Sequence, residues 1–126
     1  KASGKLALWI WISAWILLIG LWTHALFPNL AVHSAHLVFI GGFGLMTFLV
    51  GSRVTLAHGG YPLSLESKSR IFASVGVLIL LAAITRFISQ WTPTVFQHYA
   101  YAAGLWILAV LTWSFFFLPK IIKRSP

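Results

Sequence analysis

Five histidines, His24, His33, His36, His58 and His98, carry most of the coordination chemistry this chain can offer, because it has no cysteine and only one methionine, Met46. Imidazole ligates haem iron and copper without adding charge. His33 and His36 are three residues apart, a spacing that puts both on one helix face. Other chemistries fail on inventory. Without cysteine there is no disulfide framework, zinc ribbon or iron–sulfur site. Glu66 is the single acid. It allows neither a carboxylate pair nor a Ser-His-Asp arrangement, and no intramembrane acid is present to relay protons. No phosphate loop or basic–aromatic nucleic-acid motif is visible, and the sequence leaves open whether the protein is an enzyme.

The elements that must position these histidines are membrane spans. Only 8% of the residues are charged and 60% are hydrophobic, whereas a soluble domain carries about 25% charge. A spanning helix needs about 20 apolar residues. Four segments qualify, at about 6–23, 32–57, 69–89 and 94–118. Pro28, Gly59-Gly60, Pro62, Pro93 and Pro119 punctuate the joints. The first run is too long for a signal-peptide core and no small-x-small cleavage site follows it. Short joints predict an all-α integral membrane protein, one domain over 1–126, with four helices in an antiparallel up-down-up-down bundle. The opening residue is Lys1 rather than Met, so a processed chain or a piece of a longer polypeptide is expected.

Charge orients the bundle. Lys1, Lys5, Arg53, Lys68, Arg70, Lys120, Lys123 and Arg124 fall at the end that holds both termini, and Arg86 alone falls near the other. The positive-inside rule makes the first end cytoplasmic and the second periplasmic in a bacterial inner membrane. Trp9 and Trp11 suit the inner interface and Trp22 and Trp91 the outer one, leaving Trp15, Trp106 and Trp113 as deeper packing residues.

In this topology His24, His33, His36 and His98 share the outer end, and His58 lies about 33 Å from His36 at the inner end. A haem b between helices needs facing histidines at one depth. His36 and His98 meet that description, with Arg86 placed to meet a propionate. Met46, about 15 Å deeper than His36, does not compete. Copper is the alternative or additional metal, held by His33 with His24, His36 or His98. The plain alternatives are interfacial histidines that only hydrogen-bond, an Arg86 that only snorkels to head groups, and a His58 that only caps its helix.

Packing faces follow from the helical period. At about 100° per residue, His33, His36, Gly44, Thr47, Gly51, Thr55 and His58 share one stripe of the second helix, and Arg53 falls well away from it. The Gly44/Gly51 part is expected to admit a close neighbour, within the chain or in another membrane subunit. On the fourth helix Tyr101, Ala102, Leu105, Ala109 and Thr112 line up below His98. On the third, Ala82, Ala83, Ser89 and Gln90 share the side of Arg86. The first helix shows no comparable stripe and is expected to be peripheral.

The stretch His36-Leu37-Val38-Phe39-Ile40-Gly41-Gly42-Phe43-Gly44-Leu45-Met46-Thr47, continuing through Arg53 to Ala57-His58-Gly59-Gly60, resembles the NnrS family of haem- and copper-containing membrane proteins. The family motif reads roughly H-A-L-x-V-G-x-x-G-x-M-T-L-x-V-M-x-R-x-x-L-G-H-T-G-R. Thr85-Arg86 resembles the end of its next helix, and Leu105-Trp106-Ile107-Leu108 with Phe117-Leu118-Pro119 resembles its last. Ala57, Gly59 and Tyr61 stand where the family usually has Gly, Thr and Arg. The likeness covers most of residues 36–119 and corresponds to the carboxyl-terminal third of a family member of about a dozen helices. It implies haem, copper and a role in nitric oxide metabolism, with His36, Arg53, His58 and Arg86 matching motif positions. Two functions are therefore expected as alternatives: a haem b protein, with or without copper, acting in nitric oxide response or electron transfer near the periplasmic face, or a cofactor-free accessory subunit of a larger respiratory or copper-enzyme complex.

Overall fold

A computed structural model describes residues 4–122. Among them every regular element is helical, and four segments are long and apolar enough to cross a membrane: Lys5–Leu26, Pro28–His58, Arg70–Trp91 and Val95–Ile122. The first is α1 (Lys5–Leu26). The second is composite. A 3₁₀ turn at Pro28–Leu30 uses proline where its missing N–H costs nothing. It leads into α2 (Ala31–His36), a π-helical stretch (Leu37–Gly44) and α3 (Leu45–His58). The short α4 (Ser64–Lys68) precedes α5 (Arg70–Ile88). A 3₁₀ turn at Ser89–Trp91 then leads to α6 (Val95–Ile122).

The punctuation residues do what the sequence assigns them, with two differences. Gly60 has φ 73°, Gly60 N–H bonds Ala57 O at 3.3 Å and Tyr61 N–H bonds Leu56 O at 2.9 Å. Together these make a Schellman end that needs glycine in the left-handed region. The 59–68 linker is not wholly irregular, since α4 lies inside it. The fourth span also continues past Pro119. Proline at 119 removes the backbone donor that would serve Phe115 O, and Lys120 Nζ donates to the next carbonyl, Phe116 O, at 2.6 Å.

The π-helical stretch changes how the second span packs. Its i→i+5 turns hold an extra residue, so the angular step falls below that of an α-helix. A stripe drawn at constant pitch from His36 to His58 therefore breaks. Gly44 does admit a neighbour, since a Cβ there would lie 2.8 Å from the Trp106 ring. At Gly51 a Cβ would meet only Trp113, at 3.8 Å, and Thr47 and His58 are exposed. Thr55 of that stripe does face inward, and the rest of the inward face of α3 is Leu45, Leu49, Ser52 and Leu56. Trp113 Nε1 donates to Ser52 Oγ across this face at 2.8 Å.

The first helix is not peripheral. Its buried residues Leu6, Ser13 and Gly20 recur every seven positions and face the π-helical stretch and its neighbours. A Cβ on Gly20 would lie 2.7 Å from Val38 Cγ2, and one on Gly41 2.6 Å from Ile16 Cγ2. Ser13 Oγ donates to Gly42 O at 2.8 Å in a buried bond. Serine and glycine here let two backbones approach, the usual solution where lipid supplies no hydrophobic drive. These are small residues without a histidine beside them, so they do not stand out as a polar stripe. Trp15 is also not a packing residue, being 48% exposed. Trp106 and Trp113 pack edge-on against Phe48. Ala102 and Ala109 of α6 and Ala82 and Ala83 of α5 are buried as their stripes predict.

Candidate metal centre at the histidine end

Side-chain contacts gather four histidines at one end of the bundle. The 3₁₀ turn after α1 folds α2 back on it, so His24 reaches α2. His24 Nδ1 lies 3.2 Å from Ala31 O and 3.3 Å from Ser34 Oγ. Ser34 donates its own proton to Ala31 O at 3.0 Å, so its oxygen is left to accept from His24 Nδ1–H. The same logic holds for His33. Its Nδ1 lies 3.2 Å from Ser89 Oγ, while Ser89 donates to Arg86 O at 2.7 Å. His36 Nδ1 bonds Val32 O one turn back at 2.6 Å. A carbonyl, or a hydroxyl already donating elsewhere, can only accept, so Nδ1 is the donor in all three imidazoles and Nε2 is left outside these bonds. Metal-ligating histidines are held the same way, by a carbonyl or hydroxyl on the other ring nitrogen.

His98 is fixed by a different partner, Thr85 Oγ1 at 2.8 Å. Its ring packs edge-on to Tyr101, with centroids 6.1 Å apart. Thr85 and His98 line a groove of about 600 Å³ between α5 and α6, walled by Leu81, Ile84, Ile88 and Leu105. A Cβ on Gly104, in the same groove, would meet nothing within 4 Å. No bond or shared groove joins His98 to His36, whose Nδ1 returns to its own helix.

Arg86 stands between these groups. Its Cζ lies 3.2 Å from the centroid of the Tyr99 ring, a cation–π contact on the residue next to His98. Its Nη1 is buried without a hydrogen-bond partner. The single acid is at the other end of the bundle, so no carboxylate of this chain answers that guanidinium. A desolvated donor without an acceptor is costly and fits an anionic group supplied from outside the chain.

Among the described residues no three of His, Asp and Glu converge as a metal-binding group. His58, at the opposite end, is exposed and bonds Val54 O at 3.1 Å. There Arg53 meets Glu66, Nη1 to Oε2 at 3.5 Å. Glu66 is 5% exposed and its Oε1 has no partner. Burial pushes the Glu66 carboxyl above the usual carboxylate range, and Arg53 draws it partly back.

Sequence reasoning did not single out Ser34, Thr85 and Tyr99 as the groups that orient His24, His98 and Arg86. Adjacency was the available signal, since Ser34 follows His33, Thr85 precedes Arg86 and Tyr99 follows His98. No curated protein and no solved structure matches this chain. The model of the NnrS family, described as NnrS protein, matches residues 3–124. That match takes in α1 as well as the 36–119 stretch whose motif suggested the likeness, and by it the chain belongs to the NnrS family.

Proposed function

We propose that this multi-pass membrane protein binds haem b at its histidine end, with copper as an alternative or additional metal, and serves nitric oxide response or electron transfer. The observation that carries the proposal is the state of the imidazoles together with Arg86. His24, His33 and His36 use Nδ1 for their hydrogen bonds, which leaves Nε2 available as a ligand atom, and the buried Arg86 Nη1 lacks an acceptor. His36 and His98 would hold the haem iron and Arg86 a propionate; a copper site built from His24, His33, His36 and His98 would need them drawn closer than they stand here, where no three converge. The groove beside His98 is apolar and falls within the usual range of ligand pockets. When bound, a haem would supply one-electron chemistry. Thr85 would hold the His98 ring and Val32 O the His36 ring against rotation. The histidine end is assigned to the periplasmic face of a bacterial inner membrane, with both termini cytoplasmic.

An optical spectrum of the purified protein tests this. A Soret band that shifts on reduction is expected, altered or lost in His36→Ala and His98→Ala and unchanged in His58→Ala. Loss in His58→Ala alone would move the site to the other end. A second reading, an accessory subunit of a larger complex, is favoured by one observation. Phe43, Met46, Thr47, Val50 and Gly51 line an open groove of about 420 Å³ that no side chain among the described residues fills. No Soret band, together with a co-purifying membrane subunit that Gly51→Trp displaces, would favour it.

A further inference from the structure

The end of the bundle opposite the histidines shows an uncompensated cationic rim. Lys5 opens α1, Lys68 closes α4 and Arg70 opens α5, and all three are exposed. α4 packs on α1, and Arg53 reaches Glu66 of α4, so these cations surround one short helix. The chain's only acid cannot offset them at the surface. Glu66 is turned inward, 5% exposed, and its one contact to a charge is Arg53. Lys120 is a different case, half-buried, with Nζ on Phe116 O and 3.6 Å from the Phe116 ring centroid. At the histidine end Arg86 is the sole Lys or Arg among the described residues, and it is stacked on Tyr99.

We propose that Lys5, Lys68 and Arg70, with Arg53 behind them, form a surface that selects anionic phospholipid head groups in the adjoining leaflet. The occupant follows from charge and place. The three exposed cations stand at the first or last residue of their helices, α4 packs on α1 and Trp9 of α1 lies against Gly76 of α5, so they share the end where spans meet head groups. Each basic residue near an anionic surface adds attraction of a size that several together turn into selectivity. A buried acid that points away removes the repulsion an exposed carboxylate would add. The inference is independent of the metal site, which lies at the opposite end.

The full chain, reconstituted in mixed phosphatidylglycerol–phosphatidylcholine vesicles, tests it by electron spin resonance of spin-labelled lipid. The motionally restricted fraction should favour phosphatidylglycerol by about threefold or more at about 0.1 M salt and approach parity at about 1 M. The triple variant Lys5→Gln/Lys68→Gln/Arg70→Gln changes only exposed side chains, so its fold should persist while the preference falls toward parity. An unchanged preference in that variant overturns the proposal, as does a wild-type chain with no preference. A preference that survives the triple variant but disappears in Arg86→Gln also overturns it, by placing the anion site at the histidine end.

Discussion

Glu66 is a carboxyl group held in two directions at once. Burial favours its neutral form and Arg53, 3.5 Å away, its charged form, with burial the larger influence. Its native pKa is raised, so between the usual carboxylate range and that raised value the folded chain holds a proton that the unfolded chain has released. Stability must then fall as pH rises through this window and level off above it. Glu66→Gln should flatten that slope and make the protein more stable above the window, as read by thermal unfolding in detergent over a pH series. Equal slopes in both proteins would mean Glu66 is charged throughout. Ser13 makes a second residue-level test. Its buried bond to Gly42 O should be worth about 1 kcal/mol. Ser13→Ala should lower the unfolding midpoint, while Ser74→Ala, which loses only an exposed bond to Arg70 O, should hardly move it.

At the scale of elements, α1 and the π-helical stretch form the tightest seam. A methyl group at Gly20 or Gly41 would come within 2.7 Å of Val38 or 2.6 Å of Ile16. Gly20→Ala and Gly41→Ala should each cost about 1–3 kcal/mol by overpacking. Gly104→Ala meets empty space and should stabilise α6 by up to about 1 kcal/mol, because glycine is the poorer helix former. Thermal shifts of the three variants in one detergent check the ordering, and a Gly20→Ala protein as stable as wild type would dissolve the seam. This seam is where the sequence was least legible. The four spans and their breaks at proline and glycine were readable from hydropathy and turn residues, and so was the end of the bundle that holds His24, His33, His36 and His98, although no three of them converge. The alanines of α5 and α6 were readable too, because a regular α-helix keeps one period. The second span does not keep it. Once Leu37–Gly44 takes wider turns, angles counted from His36 no longer predict where Gly51 or His58 faces. The role of α1 was hidden for a related reason, since a Leu6/Ser13/Gly20 spacing offers no polar run to mark it. α4 was missed because five residues give too little periodicity to read.

For the whole molecule, two chemically different ends follow from where the charged and imidazole groups are. The Lys5 end collects exposed lysine and arginine, and the histidine end has a stacked arginine and four imidazole rings. If the first end faces the cytoplasm, Lys68→Cys in otherwise cysteine-free protein should react with a membrane-impermeant maleimide only after permeabilisation. Phe96→Cys, at a position 85% exposed, should react in intact spheroplasts. The reverse pattern would invert the assignment and place the histidines inside the cell. The π-helical stretch also ties the two ends together. Because its turns contain one residue more than α-helical turns, it works like a phase offset between two gears on one shaft. Removing a single exposed residue from it, such as Phe39, would let the span relax to regular helix. The eight residues of the π-helical stretch cover about the same rotation as seven in α-helical turns, so the half bearing His33 and His36 would keep its phase against the half bearing Leu49, Ser52 and Arg53. A one-codon deletion there would thereby leave the imidazoles near Ser89 and Arg86 and the Ser52–Trp113 and Arg53–Glu66 contacts in place, whereas the same deletion within the regular helix of α3 would swing one half of the span against the other by about one residue's rotation.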